Sequence, residues 1–323
     1  TAVRSNTMST MKKMTRRDFL KASAQTGLLL AAGGGAIAGA GKGWAAIESS
    51  PAPDLAVVTG SPEKATARAI ELLGGMKRFV KQGQRVVIKP NMSFAKTPDE
   101  AANTSPAVVA AVAASCVAAG SKDVLILDHT IQKESLCLEL SGIAKACDSL
   151  DRTHVLALND ERFYQSVPIP NGKALTTVKV MQEVMACDVL INLPAAKSHS
   201  ATGVSFGMKG LMGVIWDRGY FHSRVDLHQA IADLCTVIKP HLIILDASRA
   251  LLTGGPSGPG TIHPLNTIVA GTDPVAVDAY GAQIAPWYNK QFEAKHIKHI
   301  MAGEQMGLGT ARLDELRIAR VQA

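Results

Sequence analysis

The sequence predicts an α/β fold: a mixed, mostly parallel sheet with helices on both faces. Three observations carry this. Short apolar runs such as Arg85–Lys89 (RVVIK), Asp123–Asp128 (DVLILD), Val189–Leu193 (VLINL) and His241–Asp246 (HLIILD) are nearly continuous rather than alternating. Strands buried on both faces read this way. Between them lie Ala/Val-rich segments of helical length that open on Ser-Pro or Asp-Pro and close on Gly, which are helix start and stop signals. Hydrophobic residues make up 47% of the chain but aromatics only 4%, and small side chains suit helices packed on a sheet.

In chain order, Leu55–Thr59 reads as the first strand, and Ser61-Pro62 opens a helix expected to run to Val80, weakened in its middle by Gly74-Gly75. Strand Arg85–Lys89, a helix from Ser105-Pro106 to Gly120 and strand Asp123–Asp128 complete a βαβαβ unit. Residues 133–150 are expected to be helical, His154–Leu158 extended, and Val167–Val180 a hairpin around Asn171-Gly172, a strong turn dipeptide. After strand Val189–Leu193, stopped by Pro194, a polar loop is expected through Lys197, Ser198, His199, Ser200 and Thr202. A helix at 226–238 leads to strand His241–Asp246. The glycine-rich 254–260 (GGPSGPG) follows, readable as a lid or as a connection, then strand Asn266–Ala270. A helix from Asp273-Pro274 to Ala285, a helical stretch at 292–302 and a last strand at Leu316–Val321 end the chain.

Residues 1–45 read as a cleaved twin-arginine (Tat) export signal, with Arg16-Arg17 before Phe19 and Leu20, an apolar glycine-rich run from Gly27 to Ala40, and a small-residue exit at Gly43-Trp44-Ala45. Met8 and Met11 are candidate starts. The run is too short for a stable membrane span, which needs roughly 20 apolar residues. The expectations that follow are a periplasmic protein, the Tat translocase as partner during export, a linker at 46–53 and an α/β domain at 54–323, in one lobe or two closely packed ones. The signal also explains the charge. The chain is +7, but residues 1–45 hold seven of the 34 Lys/Arg and one of the 27 Asp/Glu. The remainder is nearly neutral, so the basic balance does not point to nucleic acid.

Cys116, Cys137, Cys147, Cys187 and Cys235 contain no CxxC spacing and no iron–sulfur run. Several lie in apolar helix or strand patterns, where cysteine serves as a small hydrophobe.

The chemistry concentrates at strand ends. Asn91, Asp128 with His129, Lys197 with His199, Asp246 and Asp273 each follow a buried strand, and in a parallel sheet such ends share one edge, where α/β proteins bind ligands. The stretch 188–215 is the densest. Lys197, His199 and Lys209 are the candidate catalytic residues: imidazole suits acid–base work, and lysines hold an anionic ligand. Lys209, Gly203 and Gly207 are candidate cofactor-binding positions. A divalent transition metal has candidate ligands in His199, His222, His228, Asp246 and Asp278, with Asp246 and Asp278 also readable as a hard-oxygen cation site. Plainer readings stand beside these: Asp226 and Asp273 as helix caps, Lys197 as a solvated lysine, His296 and His299 as surface residues. No Walker loop, no GxGxxG after a strand and no Gly-x-Ser-x-Gly elbow occurs in the mature region.

Taken together, VVIKPN (86–91), INLPAAKSHSATGVSFGMKGLMG (191–213), LIILDAS (242–248) and TIVAGTDPVAVDAYG (267–281) resemble the domain-of-unknown-function family 362 over nearly all of the mature chain. The resemblance implies a mixed α/β domain, a link to redox or iron–sulfur modules, and no settled activity; this chain lacks the ferredoxin-type cysteines some members carry. The stretch around Lys209 is also similar to the core of nickel-pincer lactate racemases. That likeness would make Lys209 a covalent cofactor anchor and His199 a metal ligand. The expectation is an exported metal- or cofactor-dependent enzyme acting on a small anionic substrate. The other reading is a non-catalytic periplasmic protein that binds a ligand or assembles with a redox partner.

Overall fold

The computed structural model describes residues 52–323; the segment read from the sequence as an export signal, residues 1–45, falls outside them. The chain lays down β1 (Leu55–Thr59), α1 (Pro62–Leu72), α2 (Met76–Phe79), β2 (Arg85–Pro90), α3 (Pro106–Ala119), β3 (Asp123–Asp128), α4 (Glu134–Leu140), α5 (Ile143–Cys147) and β4 (Thr153–Ala157). The hairpin β5 (Tyr164–Pro168) and β6 (Thr177–Met181) and the short α6 (Gln182–Ala186) follow. Then come β7 (Val189–Leu193), β8 (Ala195–His199), β9 (Gly203–Ser205), α7 (Gly207–Gly210), α8 (Arg218–Ser223) and α9 (Leu227–Val237). The chain finishes with β10 (Leu242–Leu251), β11 (Ile262–His263), β12 (Thr267–Gly271), α10 (Pro274–Gln283), α11 (Lys298–Gln305) and β13 (Ile318–Gln322).

The main sheet runs β13-β1-β12-β10-β7-β2-β3-β4. Strands β10, β7, β2, β3 and β4 are parallel neighbours, whereas β12 is antiparallel to both β10 and β1. The mixed, mostly parallel expectation holds. One positional inference does not: because β12 runs backwards, Asp273 beyond its end lies at the opposite edge from Asp128 and Asn91. There it caps α10, accepting from the Ala276 amide at 2.9 Å.

Alternate residues of each strand explain why the runs are continuous. Val86, Ile88, Val124, Ile126, Ile191, Leu242 and Ile244 pack against α1 and α3 through Ala65, Ala69, Ile70, Val108, Val109 and Val112. Their neighbours face the other layer, where Ile243 meets Gly207 and Leu245 meets Gly281. Both faces are covered, so neither needs polar residues.

Local differences from expectation have local causes. The helix from Ser61 breaks at Gly74-Gly75, whose φ values are +99° and +80°, a region closed to most residues. Residues 133–150 divide likewise into α4 and α5 at Gly142, φ +71°. The polar stretch after Pro194 is no surface loop but a buried hairpin of β8 and β9, pairing Lys197 with Ser205 and His199 with Gly203.

Candidate functional site

The carboxyl ends of β2, β3 and β7 are stitched together by their own polar residues. Asn91 Oδ1 accepts from the Ala195 amide at 2.9 Å, and the Asn91 amide donates to Thr104 Oγ1, which donates to the Leu193 carbonyl. Over this edge opens a cavity of about 620 Å³, walled by β8, the 210–219 segment, the Phe94 loop and Pro256. Its lining includes Lys89, Lys197, Lys209, Arg218, His129, His199 and His222, and among the described residues no aspartate or glutamate. A second cavity of about 580 Å³ beside β1 and β13 carries Arg320 as its only cation, set over the Tyr280 ring. It holds no comparable chemistry.

Lys89 is the last-but-one residue of β2, fully buried, with Nζ 3.7 Å from Asp128 Oδ1 at the end of β3. That exceeds hydrogen-bond reach, and both atoms are buried without a hydrogen-bond partner among the described residues. Asp128 Oδ2 accepts from the Met92 amide at 2.9 Å and Ser93 Oγ at 2.7 Å. Gly213 closes over the pair: a Cβ there would collide with Asp128 Oδ1 and lie 2.8 Å from Lys89 Nζ. Burial pushes the Lys89 amine below its ordinary range, with Arg218 adding to the effect and Asp128 opposing it.

Lys197 points from β8 with Nζ 2.5 Å from the Ala102 carbonyl and 4.8 Å from the Phe94 ring centre. Lys209 rises from α7. That helix is clamped from below by Asp278, whose two oxygens accept from the Gly207 and Met208 amides at 2.8 and 2.9 Å, and by Asn192 Nδ2 on the Gly207 carbonyl. Among the described residues nothing accepts a hydrogen bond from Lys209 Nζ. Burial, then like charge, lowers both amines to about 7; Lys89 presses on both, Lys209 also on Lys197, and Arg218 also on Lys209. Arg218 donates to the carbonyls of His129 and Thr130 at 2.7 and 3.1 Å, fixing its guanidinium at the wall.

His199 Nδ1 accepts from the Ala201 amide at 3.1 Å, which leaves the ring proton on Nε2. Burial, with Lys209 and His222 nearby, holds it far below its usual value, so it is neutral at pH 7. His222 stacks on it, ring centres 5.9 Å apart. His129 lies flat on Trp216 at 5.2 Å, with Nδ1 2.9 Å from the Ile215 carbonyl.

Lys197, His199, Lys209 and His222 are therefore brought together. The other sequence candidates are not. His228 stacks instead on His299, at 5.9 Å, away from the lining. His299, expected on the surface, is fully buried with neither ring nitrogen paired. Asp246 spends its oxygens on the Ser105 amide and on the Ser248 amide and hydroxyl. Asp278 spends its own on α7, so the two carboxylates hold different backbone segments. Gly203 faces Ile297 and Phe292, and Gly207 faces Asp278 and Ile243; Gly210, Gly213 and Gly219 are the glycines at the cavity. Asp226 caps α9 through the His228 and Gln229 amides. Lys89 and Arg218 were missed. For Lys89 the signal was a cation inside an apolar strand; Arg218, in a polar exposed-looking segment, gave none.

A bare divalent cation does not fit this wall. Among the described residues no three His, Cys, Asp or Glu gather as a metal-holding group, and the cations present repel one. The arrangement instead suits an anion, with the neutral His199 imidazole beside it.

Against known proteins, the chain is 28% identical over 246 residues to a thylakoid-associated protein of Synechocystis sp., covering 74% of this chain and 73% of that one. Among solved structures it is similar to the lactate racemase apoprotein of Thermoanaerobacterium thermosaccharolyticum (TM-score 0.44, 13% identity, 66% of this chain and 53% of that chain). It is also similar to a protein of Thermotoga maritima (TM-score 0.38, 13% identity, 60% of this chain and 52% of that chain). The chain thus spans about half the length of either. Residues 86–283, from β2 to the end of α10, match the family described as Domain of unknown function (DUF362); the chain belongs to that family.

Proposed function

We propose that the chain is an enzyme that binds a small anionic substrate, a carboxylate or a phosphate, at the carboxyl edge of its sheet. One observation carries the reading: Lys89, Lys197, Lys209 and Arg218 line one cavity, and no acid lines it among the described residues. Lys89 has Asp128 as its counter-charge, but among the described residues Lys197, Lys209 and Arg218 have none. Burying such cations is costly, and an anionic ligand reduces that cost. Amines lowered to about 7 accept or donate a proton at neutral pH, which is the property of an acid–base group. His199 supplies a neutral N–H donor beside them. A cofactor bound here would be anionic, held by the same lysines.

A second reading, a non-catalytic ligand-binding or redox-complex assembly protein, is favoured by the lack of a metal-holding group among the described residues. Export by the Tat pathway to the periplasm belongs to the proposal and rests on Arg16-Arg17 and the run behind them. Replacing both arginines with lysine should retain a fused reporter in the cytoplasm; unaltered export would remove this element.

The site is tested by calorimetric titration with phosphate, pyruvate and oxalate. At least one should bind, and Lys197→Met and Lys209→Met should each weaken it by about tenfold or more, ~1.4 kcal/mol. No binding by any of the three, or binding indifferent to both substitutions, rejects the reading. Turnover of a bound anion then separates the enzyme from the binding protein.

A further inference from the structure

We infer that Lys209 is a nucleophile toward carbonyl carbon: its Nζ forms an imine with an anionic aldehyde or ketone held in the cavity. The inference rests on the anion site proposed above and adds the substrate class and the bond made.

The three cavity lysines differ in what their nitrogens already do. Lys197 Nζ is committed to the Ala102 carbonyl and the face of Phe94. Lys89 Nζ is wholly buried beside Asp128. Lys209 alone of the three has neither a described hydrogen-bond acceptor nor a carboxylate at ion-pair distance, and it lines the open space. Its base is firmly held, since Asp278 and Asn192 fix the backbone of Gly207 and Met208 before it. A fixed, desolvated amine among other cations is the state in which lysine attacks carbonyls. A cation-lined wall is also what selects a carbonyl compound bearing a carboxylate or phosphate.

The step balances without an oxidant. The neutral amine adds to the carbonyl carbon. The oxygen takes up one proton from the nitrogen and one from a neighbouring ammonium, for which Lys89 and Lys197 line the same cavity, while the neutral His199 can only donate a hydrogen bond to it. Water leaves and a protonated C=N bond remains. The ligand is either a substrate, such as a 2-oxo acid, or a cofactor, such as an aldehyde phosphate.

Full-length protein is incubated with pyruvate, 2-oxoglutarate or pyridoxal 5′-phosphate, reduced with borohydride, and read by intact mass and peptide mapping. The expected result is one reduced adduct on Lys209 with at least one of these, suppressed by excess phosphate and absent from Lys209→Met. An adduct with the oxo acids marks a substrate, one with the aldehyde phosphate alone a cofactor. Mapping on the unsubstituted protein keeps the test valid should the variant fold poorly. Labelling scattered over surface lysines, or an adduct on Lys197 or Lys89, overturns the inference. An oxo acid that binds by calorimetry yet leaves no adduct overturns the imine while leaving the anion site standing.

Discussion

The buried pair Lys89–Asp128 gives the most exacting test of how the site is held together. Asp128→Asn keeps the shape, and its amide oxygen can still accept from the Met92 amide and Ser93 Oγ. What it removes is the only carboxylate among the described residues within ion-pair reach of Lys89 Nζ, on a side chain with no exposure. Stranding one charge of a buried pair costs about 3–5 kcal/mol. The low end applies here, because the 3.7 Å separation already weakens the attraction and Lys89 can shed its proton. A loss of about 3 kcal/mol lowers the melting temperature by roughly 6–12 °C for a domain of this size. In Asp128→Asn/Lys89→Met the stranded charge is gone, and the double variant should regain about 2 kcal/mol over the sum of the single losses. Urea unfolding followed by tryptophan fluorescence reads all four corners of the cycle. Single losses that add to within about 0.5 kcal/mol, or a neutral Asp128→Asn, would refute the claim that this pair is electrostatically coupled.

Three further outcomes are expected. Lys197 and Lys209 are lowered to about 7 against ~10.4 unfolded. The unfolded chain therefore binds more protons between these values, and these two groups make stability rise with pH. The slope is at most about 1.4 kcal/mol per lysine between pH 7 and 8, while anion affinity falls over the same interval. Chemical denaturation and calorimetry at both pH values check the opposed slopes, and a ligand-free stability that falls would contradict the assigned burial. Asp278→Ala leaves the Gly207 and Met208 amides buried without acceptors, for a loss of about 2–4 kcal/mol; Asp278→Asn should recover part of it, and equal losses in both would show that the hydrogen bonds are not the cause. All five cysteines are free thiols, with Cys116 pushed up to about 12 and Cys147 and Cys187 to about 11 by burial. A thiol reagent at pH 8 should modify at most the half-buried Cys187 in the native protein and all five in denaturant without reductant. Fewer than five would reveal a disulfide.

Much of the framework was legible because it depends on local rules. Short continuous apolar runs bounded by turn residues suit strands covered on both faces; β1, β2, β3 and β7 start where those runs do, and β10 one residue later. Ser-Pro and Gly120 bound α3 because proline fits a first helical turn and glycine, at φ +98°, reverses it. Residues 188–215 announced themselves by placing Lys197, His199 and Lys209 directly after a strand. The carboxyl-edge rule then put them at one site, and the cavity contains all three.

What the sequence by itself determined is therefore the class of fold, the edge at which chemistry gathers and four of the candidate residues there, Lys197, His199, Lys209 and His222. Only the tertiary structure decided the rest, since direction and packing partner are not properties of a strand alone. Whether β12 runs with or against β10 leaves the same apolar pattern, yet it sends Asp273 to the far edge. A carboxylate reads alike whether it faces a ligand or a backbone amide. Asp246 and Asp278 proved to be fasteners of Ser105 and α7, while Asp128 became the counter-charge of Lys89. Arg218 reached the cavity through bonds to carbonyls 89 and 88 residues away in sequence, a pairing that only folding brings about.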